Sequence, residues 1–249
     1  MELSSKIDIL SVPIANISLA ETKDFVFRCI AEGRAASIAT ANAEMVMRAQ
    51  KDNELAQALQ EADLVIPDGA GVLWAAEQKG QKFKERVTGC DVAELLLKEA
   101  AARQTPVYLF GAAAGVAEEA AANIEARYGK LNLAGTHSGF FSADEEQDII
   151  GDIRSHGTRI LLVALGVPKQ EKWIRDHLYD LGPCVCMGVG GTFDVLAGRV
   201  GRAPVWMQQN RLAVPSLQRT EPLPAYAGAA ALYGCRQIRR PLMKGAVVT

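Results

Sequence analysis

The chain has 249 residues, of which 49% are hydrophobic and 22% charged, with a formal net charge of −2. That is an ordinary globular balance, with length for one large α/β domain or for one domain and an appendage. No apolar run is long enough to span a bilayer, and the start MELSSKIDIL lacks the basic head and apolar core of a signal peptide; both argue against a membrane-spanning chain and predict a cytoplasmic protein, attached at most to a membrane face.

In chain order, Ile7 to Val12 reads as a strand closed by Pro13. Ser18 is placed to cap a helix from Leu19 to Ala31, with Glu21 completing a capping box, and Gly33 ends it. Ser37 to Thr40 is a short strand, followed by helices from Ala43 to Ala49 and from Asn53 to Glu61. Leu64 to Ile66 is the next strand, Pro67-Asp68-Gly69-Ala70-Gly71 a turn, and Val72 to Gln78 a helix. The charged stretch from Lys79 to Arg86 reads as an exposed loop, and Thr88 caps a helix reaching Arg103. A strand from Pro106 to Phe110 leads through Gly111 and Gly115 into an alanine-rich helix ending at Tyr128. Leu131 to Thr136 is a strand, His137 to Phe141 a loop, and Ser142 caps a helix from Asp144 to His156. Arg159 to Leu165 is a strand, Pro168 suits the first turn of a helix reaching Leu178, and Cys184 to Val189 is the last core strand before Gly190-Gly191-Thr192-Phe193-Asp194. Continuous apolar strands alternating with helices predict a mostly parallel α/β sheet with helices on both faces.

Near Gly198 to Pro204 the composition turns basic and Pro-rich. From Arg199 to Lys244 there are eight basic residues against one acid, Glu221. The expected division is an α/β domain over 1–200 and a basic appendage over 201–249, either membrane-associated or disordered; the basic tail calls for an anionic partner or surface. The five cysteines fit no zinc or redox spacing, and Cys184 and Cys186 read as buried reduced thiols. The three histidines are scattered, and no D-x-D pair or G-x-S-x-G motif occurs, so neither a metal nor a cofactor is expected. No nucleic-acid partner is expected either.

In a parallel sheet the polar strand ends line up at the carboxyl edge, where ligands bind. Thr40, Asn42 and Asp68 should therefore converge, with Asp68 as the residue for chemistry; taken alone, Asp68 reads first as the N-cap of the next helix, and the company of Thr40 and Asn42 shifts the balance. Gly111, in Gly111-Ala112-Ala113-Ala114-Gly115, opens a turn that either cradles phosphate on backbone N–H groups or packs strand against helix; it matches neither G-x-G-x-x-G nor a Walker motif. Arg86 is either a solvated loop residue or an anchor for phosphate or carboxylate. Gln170 either hydrogen-bonds a sugar or faces water at a helix start. Phe140 and Phe141 either stack on a nucleobase or plug the core. Asp194 either holds ribose hydroxyls or caps a helix.

Six ordered motifs, Thr40-Ala41-Asn42-Ala43-Glu44-Met45, Ala62 to Val72, Arg86-Val87-Thr88-Gly89-Cys90-Asp91, Gly135 to Phe141, Leu165 to Trp173 and Gly188 to Asp194, closely resemble those of the WecG/TagA/CpsF glycosyltransferases, glycosyltransferase family 26. The likeness runs from about residue 5 to 210 and continues through Arg202 to Gln208. It implies a Rossmann-like fold of the GT-E type. It also implies an inverting, metal-independent transfer of N-acetylmannosamine from a UDP-sugar to polyprenyl-diphosphate-linked N-acetylglucosamine at the inner face of a bacterial membrane. That is the chemistry of the wall teichoic acid linkage unit.

Carried over, Asp68 matches the general base, Thr40 and Asn42 the surroundings of the donor sugar and the reacting centre, Arg86 and Gln170 further polar residues of the pocket, Asp194 the nucleoside region, and Phe140 a stacking position on uracil. After Asn210 the family's arginine- and aromatic-rich tail gives way to Val214-Pro215 and Glu221-Pro222-Leu223-Pro224, which is either strong divergence or a shifted reading frame, and a displaced tail would leave apolar surface for self-association. The competing readings are a transferase for the uronic acid form of the sugar, a Rossmann oxidoreductase, which lacks its glycine fingerprint, and a non-catalytic nucleotide-binding module at the membrane.

Overall fold

A computed structural model describes residues 5–201, so the basic appendage expected over 201–249 lies, beyond Gly201, outside the described residues. The chain begins with a hairpin, β1 (Lys6–Ile9) and β2 (Val12–Ala15), which forms its own antiparallel sheet. The single strand expected from Ile7 to Val12 is thus corrected to two. Its turn residues, Leu10 and Ser11, have φ of 52° and 65°. A two-residue turn with both centres left-handed is normally announced by Asn or Gly; here the Ser11 N–H instead donates to Asp8 Oδ1 at 3.1 Å, and the sequence carries no turn signal.

The main elements then alternate. Helix α1 (Leu19–Ala31) starts at Ser18, whose hydroxyl and the Glu21 carboxylate form the expected capping box. Next come β3 (Ala36–Ala41), α2 (Ala43–Ala49), α3 (Asn53–Glu61), β4 (Leu64–Pro67), α4 (Ala70–Gln78) and α5 (Gly89–Arg103). The second half holds β5 (Val107–Gly111), α6 (Val116–Tyr128), β6 (Leu133–His137), a 3-10 turn leading into α7 (Glu146–Ser155), β7 (Ile160–Ala164), α8 (Lys169–His177), β8 (Val185–Gly188) and α9 (Thr192–Leu196). The loop from Lys79 to Arg86 is less free than its charge implies: Phe83 is buried, and the Lys84 N–H donates to Asn16 Oδ1 at 2.7 Å.

Six strands pair in the order β4-β3-β8-β7-β5-β6, all parallel. Alternation along each strand splits the core into two layers. Val107 and Leu109 pack with Ile38, Leu64, Leu162 and Met187 under α1, α5, α6 and α9, through Phe25, Leu96, Ile124 and Phe193. Tyr108 and Phe110 face the other way, with Leu161, Val163 and Cys186 under Ile153 of α7 and Trp173 of α8. Each large side chain buried this way contributes about 1.5–3 kcal/mol. Cys184 and Cys186 are buried free thiols in the second layer, their sulfurs 3.5 Å apart. The edge strand β6 departs from the expected two-sided burial, with Leu133 38% exposed.

The feature that creates a site is the junction of β3 and β8. From β3 the chain enters α2, whose neighbour α3 packs on α8; from β8 it enters α9, which packs on α5 and α6. The two connections leave on opposite faces, and in such sheets the crevice between them at the carboxyl ends receives ligands.

Candidate active site

Asp68 stands one residue past β4. Its N–H donates to the Ala41 carbonyl at 2.9 Å, so the ladder with β3 runs to the lip of the crevice. Gly69, at φ 85°, takes the cap position of α4 with no side-chain capping bond. Asp68 is therefore not the cap of that helix. Its Oδ2 instead accepts from the N–H of Gly89, the first residue of α5, at 3.1 Å. That N–H belongs to the positive end of a 15-residue helix, a favourable seat for a carboxylate.

The electrostatics of Asp68 pull in two directions. Burial raises its pKa and is the largest influence; the Gly89 N–H and the Arg86 charge lower it, and Asp91 raises it. The net direction is upward, which makes Asp68 a stronger base than an ordinary aspartate. Thr40 completes this corner. A Cβ built on Gly89 would lie 3.0 Å from Thr40 Cγ2 and 3.5 Å from Asp68 Oδ2, so β3, β4 and α5 meet at one point. Thr40 is 7% exposed, and its hydroxyl faces the Gly188 carbonyl at 3.4 Å, tying β3 to β8.

Asn42 sits on the same lip, half-buried, and its Oδ1 accepts from the Met45 N–H at 2.8 Å, which caps α2. A Cβ on Gly69 would come 4.0 Å from Asn42 Cβ, so the two turns adjoin. Arg86 is half-buried at the end of its loop, close enough for its charge to act on Asp68. The structure therefore brings Thr40, Asn42, Asp68 and Arg86 together.

The other expected site residues lie elsewhere along the edge. Gln170, expected either to hydrogen-bond a sugar or to face water, is 1% exposed. Its Oε1 accepts from the N–H groups of Gly166 (3.2 Å) and Gly190 (3.0 Å), and its Nε2 donates to Glu171 Oε1 at 2.7 Å. It braces the crevice from behind. Gly111 has φ of 124°, and a Cβ there would lie 2.5 Å from the Ala164 carbonyl carbon, so close packing of β5 on β7 demands glycine. Phe140 is 80% exposed, whereas Phe141 stacks on Phe110 at 5.4 Å: one aromatic of the pair plugs the core and the other faces out. Asp194 lies in the first turn of α9, half-buried. Gly89 and Glu171 join the site without having been singled out by the sequence reading. Gly89 reads there only as part of a helix cap, and nothing local marks Glu171 as buried.

Among the described residues no group of three or more His, Cys, Asp or Glu side chains is arranged to hold a metal ion, and no helix is long and apolar enough to cross a membrane.

The architecture is thus a parallel α/β sheet with an aspartate of raised pKa at a strand-end crevice. The model of the glycosyl transferase WecG/TagA/CpsF family matches residues 7–214, and the chain belongs to that family. It is a glycosyltransferase by membership, and the match takes in every site residue discussed above.

Proposed function

We propose that the protein transfers N-acetylmannosamine from UDP-N-acetylmannosamine to a polyprenyl-diphosphate-linked N-acetylglucosamine at the inner face of a bacterial cell membrane, as in the wall teichoic acid linkage unit or a related surface polysaccharide. The observation that carries the reading is the setting of Asp68: a carboxylate with its pKa raised, held by the Gly89 N–H at the crevice lip beside Thr40. In the step, the acceptor hydroxyl oxygen attacks the anomeric carbon from the side opposite the nucleotide. The new C–O bond forms as the bond to phosphate breaks, UDP leaves with its electron pair, and the hydroxyl proton passes to Asp68. Configuration at the anomeric carbon inverts.

Each remaining residue has a part in this reading. Thr40 and Asn42 flank the donor sugar. Arg86 offsets the charge growing on the diphosphate without a divalent cation. Phe140 offers a face to uracil, Asp194 accepts from the ribose hydroxyls, and the turn opened by Gly111 lies under the diphosphate. Gln170 supports the wall rather than touching the sugar, in keeping with its burial.

The test is turnover of purified protein with a short-chain polyprenyl-diphosphate-N-acetylglucosamine acceptor, EDTA, and UDP-N-acetylmannosamine, its uronic acid form or UDP-N-acetylglucosamine in parallel. Product with the first donor alone is the expected result. Product only with the uronic acid form replaces the proposed donor, and no product with any of the three refutes the reading.

A further inference from the structure

Glu171 is the least expected side chain near the crevice. It sits in the first turn of α8 and is 5% exposed. One carboxylate oxygen, Oε1, accepts from Gln170 Nε2 at 2.7 Å. The other, Oε2, is buried with no hydrogen-bond partner. A buried acid with an orphaned oxygen costs stability, and an apolar side chain of similar size would fill the place at least as well. Packing does not account for an acid there.

What the acid does to Gln170 accounts for it. A side-chain amide fits one place in two ways, with its oxygen and its NH2 exchanged. In the one observed, its oxygen joins the N–H groups of Gly166 and Gly190, the tips of the loops after β7 and β8. In the flipped one, its NH2 would face those two donors and its oxygen would face the Glu171 carboxylate, so every contact would be repulsive. When ionised, Glu171 only accepts, and a bond to a carboxylate is roughly twice as strong as a neutral one. The fit around the amide is tight, since a Cβ on Gly188 would come 2.7 Å from Gln170 Nε2. Gly188 is also the carbonyl that faces the Thr40 hydroxyl. From α2, Arg48 donates to the Val167 carbonyl at 3.1 Å in the same loop, and its charge also acts on Glu171.

We propose that Glu171 is a positioning residue: by holding the Gln170 amide in one orientation it fixes the loop tips at Gly166 and Gly190, and with them the β8 wall of the crevice opposite Thr40. The effect on transfer rests on the glycosyltransferase reading above; the effect on the loops does not.

Two substitutions separate this role from a merely structural one. Glu171→Gln keeps an acceptor at the same place, whereas Glu171→Leu keeps the volume and removes it. The proposal expects Glu171→Leu to melt no lower than the wild type, to lose about tenfold or more in kcat with little change in the donor KM, and Glu171→Gln to restore kcat to within about threefold. Independently of any turnover, amide hydrogen exchange followed by NMR should show the Gly190 and Gly166 N–H groups exchanging about tenfold or more faster in Glu171→Leu, with protection recovered in Glu171→Gln. If Glu171→Leu leaves exchange at both glycines unchanged, the proposal is overturned. It is equally overturned if both variants lose protection, melting temperature and rate alike, since that is the signature of simple packing. If the wild type turns over no UDP-sugar, the function assigned above fails while the exchange measurement still decides this inference.

Discussion

The Gly89 N–H and the Asp68 carboxylate are 3.1 Å apart, and a Cβ on Gly89 would stand 3.5 Å from Asp68 Oδ2 and 3.0 Å from Thr40 Cγ2. The residue that donates to Asp68 thus has no room for a side chain. Gly89→Ala should push Thr40 and Asp68 apart by tenths of an ångström to an ångström. Transfer should fall by about 10- to 100-fold, because misplacement on that scale costs about that much. Stability should not follow, since alanine is favoured over glycine inside a helix by about 0.5–1 kcal/mol. Steady-state rates alongside thermal unfolding make the comparison; an unchanged kcat would contradict the geometry.

The pH dependence follows from the direction of the Asp68 shift. Burial raises its pKa above the ordinary value of 3.8. A general base works only when ionised, so kcat/KM should fall as pH drops through that raised value, with an acid limb above the usual aspartate range. The Asp91 charge contributes to the rise. Asp91→Asn should therefore move the acid limb to lower pH, which a pH–rate profile of the two proteins would show.

Glu171 predicts a separate trend in stability. Burial lifts its pKa from 4.5 to about 7 in the folded chain. Below pH 4.5 folded and unfolded chains both hold the proton, and no penalty arises. Between 4.5 and about 7 the unfolded chain ionises while the folded one resists, so the wild type loses stability as pH rises through that window. The interval corresponds to about 3 kcal/mol, and Glu171→Gln should be spared the loss. Urea titrations at pH 5 and pH 8 should show the variant gaining on the wild type at the higher pH.

Gly111 tests the packing of β5 on β7. Alanine there would meet the Ala164 backbone at 2.5 Å and be held at φ 124°. Overpacking and the strained backbone together should cost about 3 kcal/mol or more, read as a lower denaturation midpoint with an unaltered slope.

Much of the architecture was legible because each signal was local. The Ser18–Glu21 box and the Thr88 cap mark helices α1 and α5 within a few residues, and both form; α2 and α3 form at their expected bounds, where Asn42 and Asp52 turn out to be the caps. The hairpin was hidden because Leu10 and Ser11 take left-handed conformations that their side chains do not advertise. The lip of the crevice was legible for the same reason as the helices: Thr40, Asn42 and Asp68 are polar residues at the ends of apolar strands. The bracing role of Gln170 was not legible because its partners, Gly166 and Gly190, belong to loops that only the β7–β8 pairing brings together. Glu171 was invisible for a related reason. A glutamate in the first turn of a helix is ordinarily a solvated cap residue, and only the fold of α8 onto the sheet buries it.

The central claim is that Asp68 takes the acceptor proton. Its direct measurement is single-turnover transfer by Asp68→Asn beside calorimetric binding of the UDP-sugar. The account predicts a rate lower by about 10²–10⁴-fold with donor affinity kept within a few-fold, because the amide preserves shape and loses only the base. A variant that transfers sugar at the wild-type rate would contradict it.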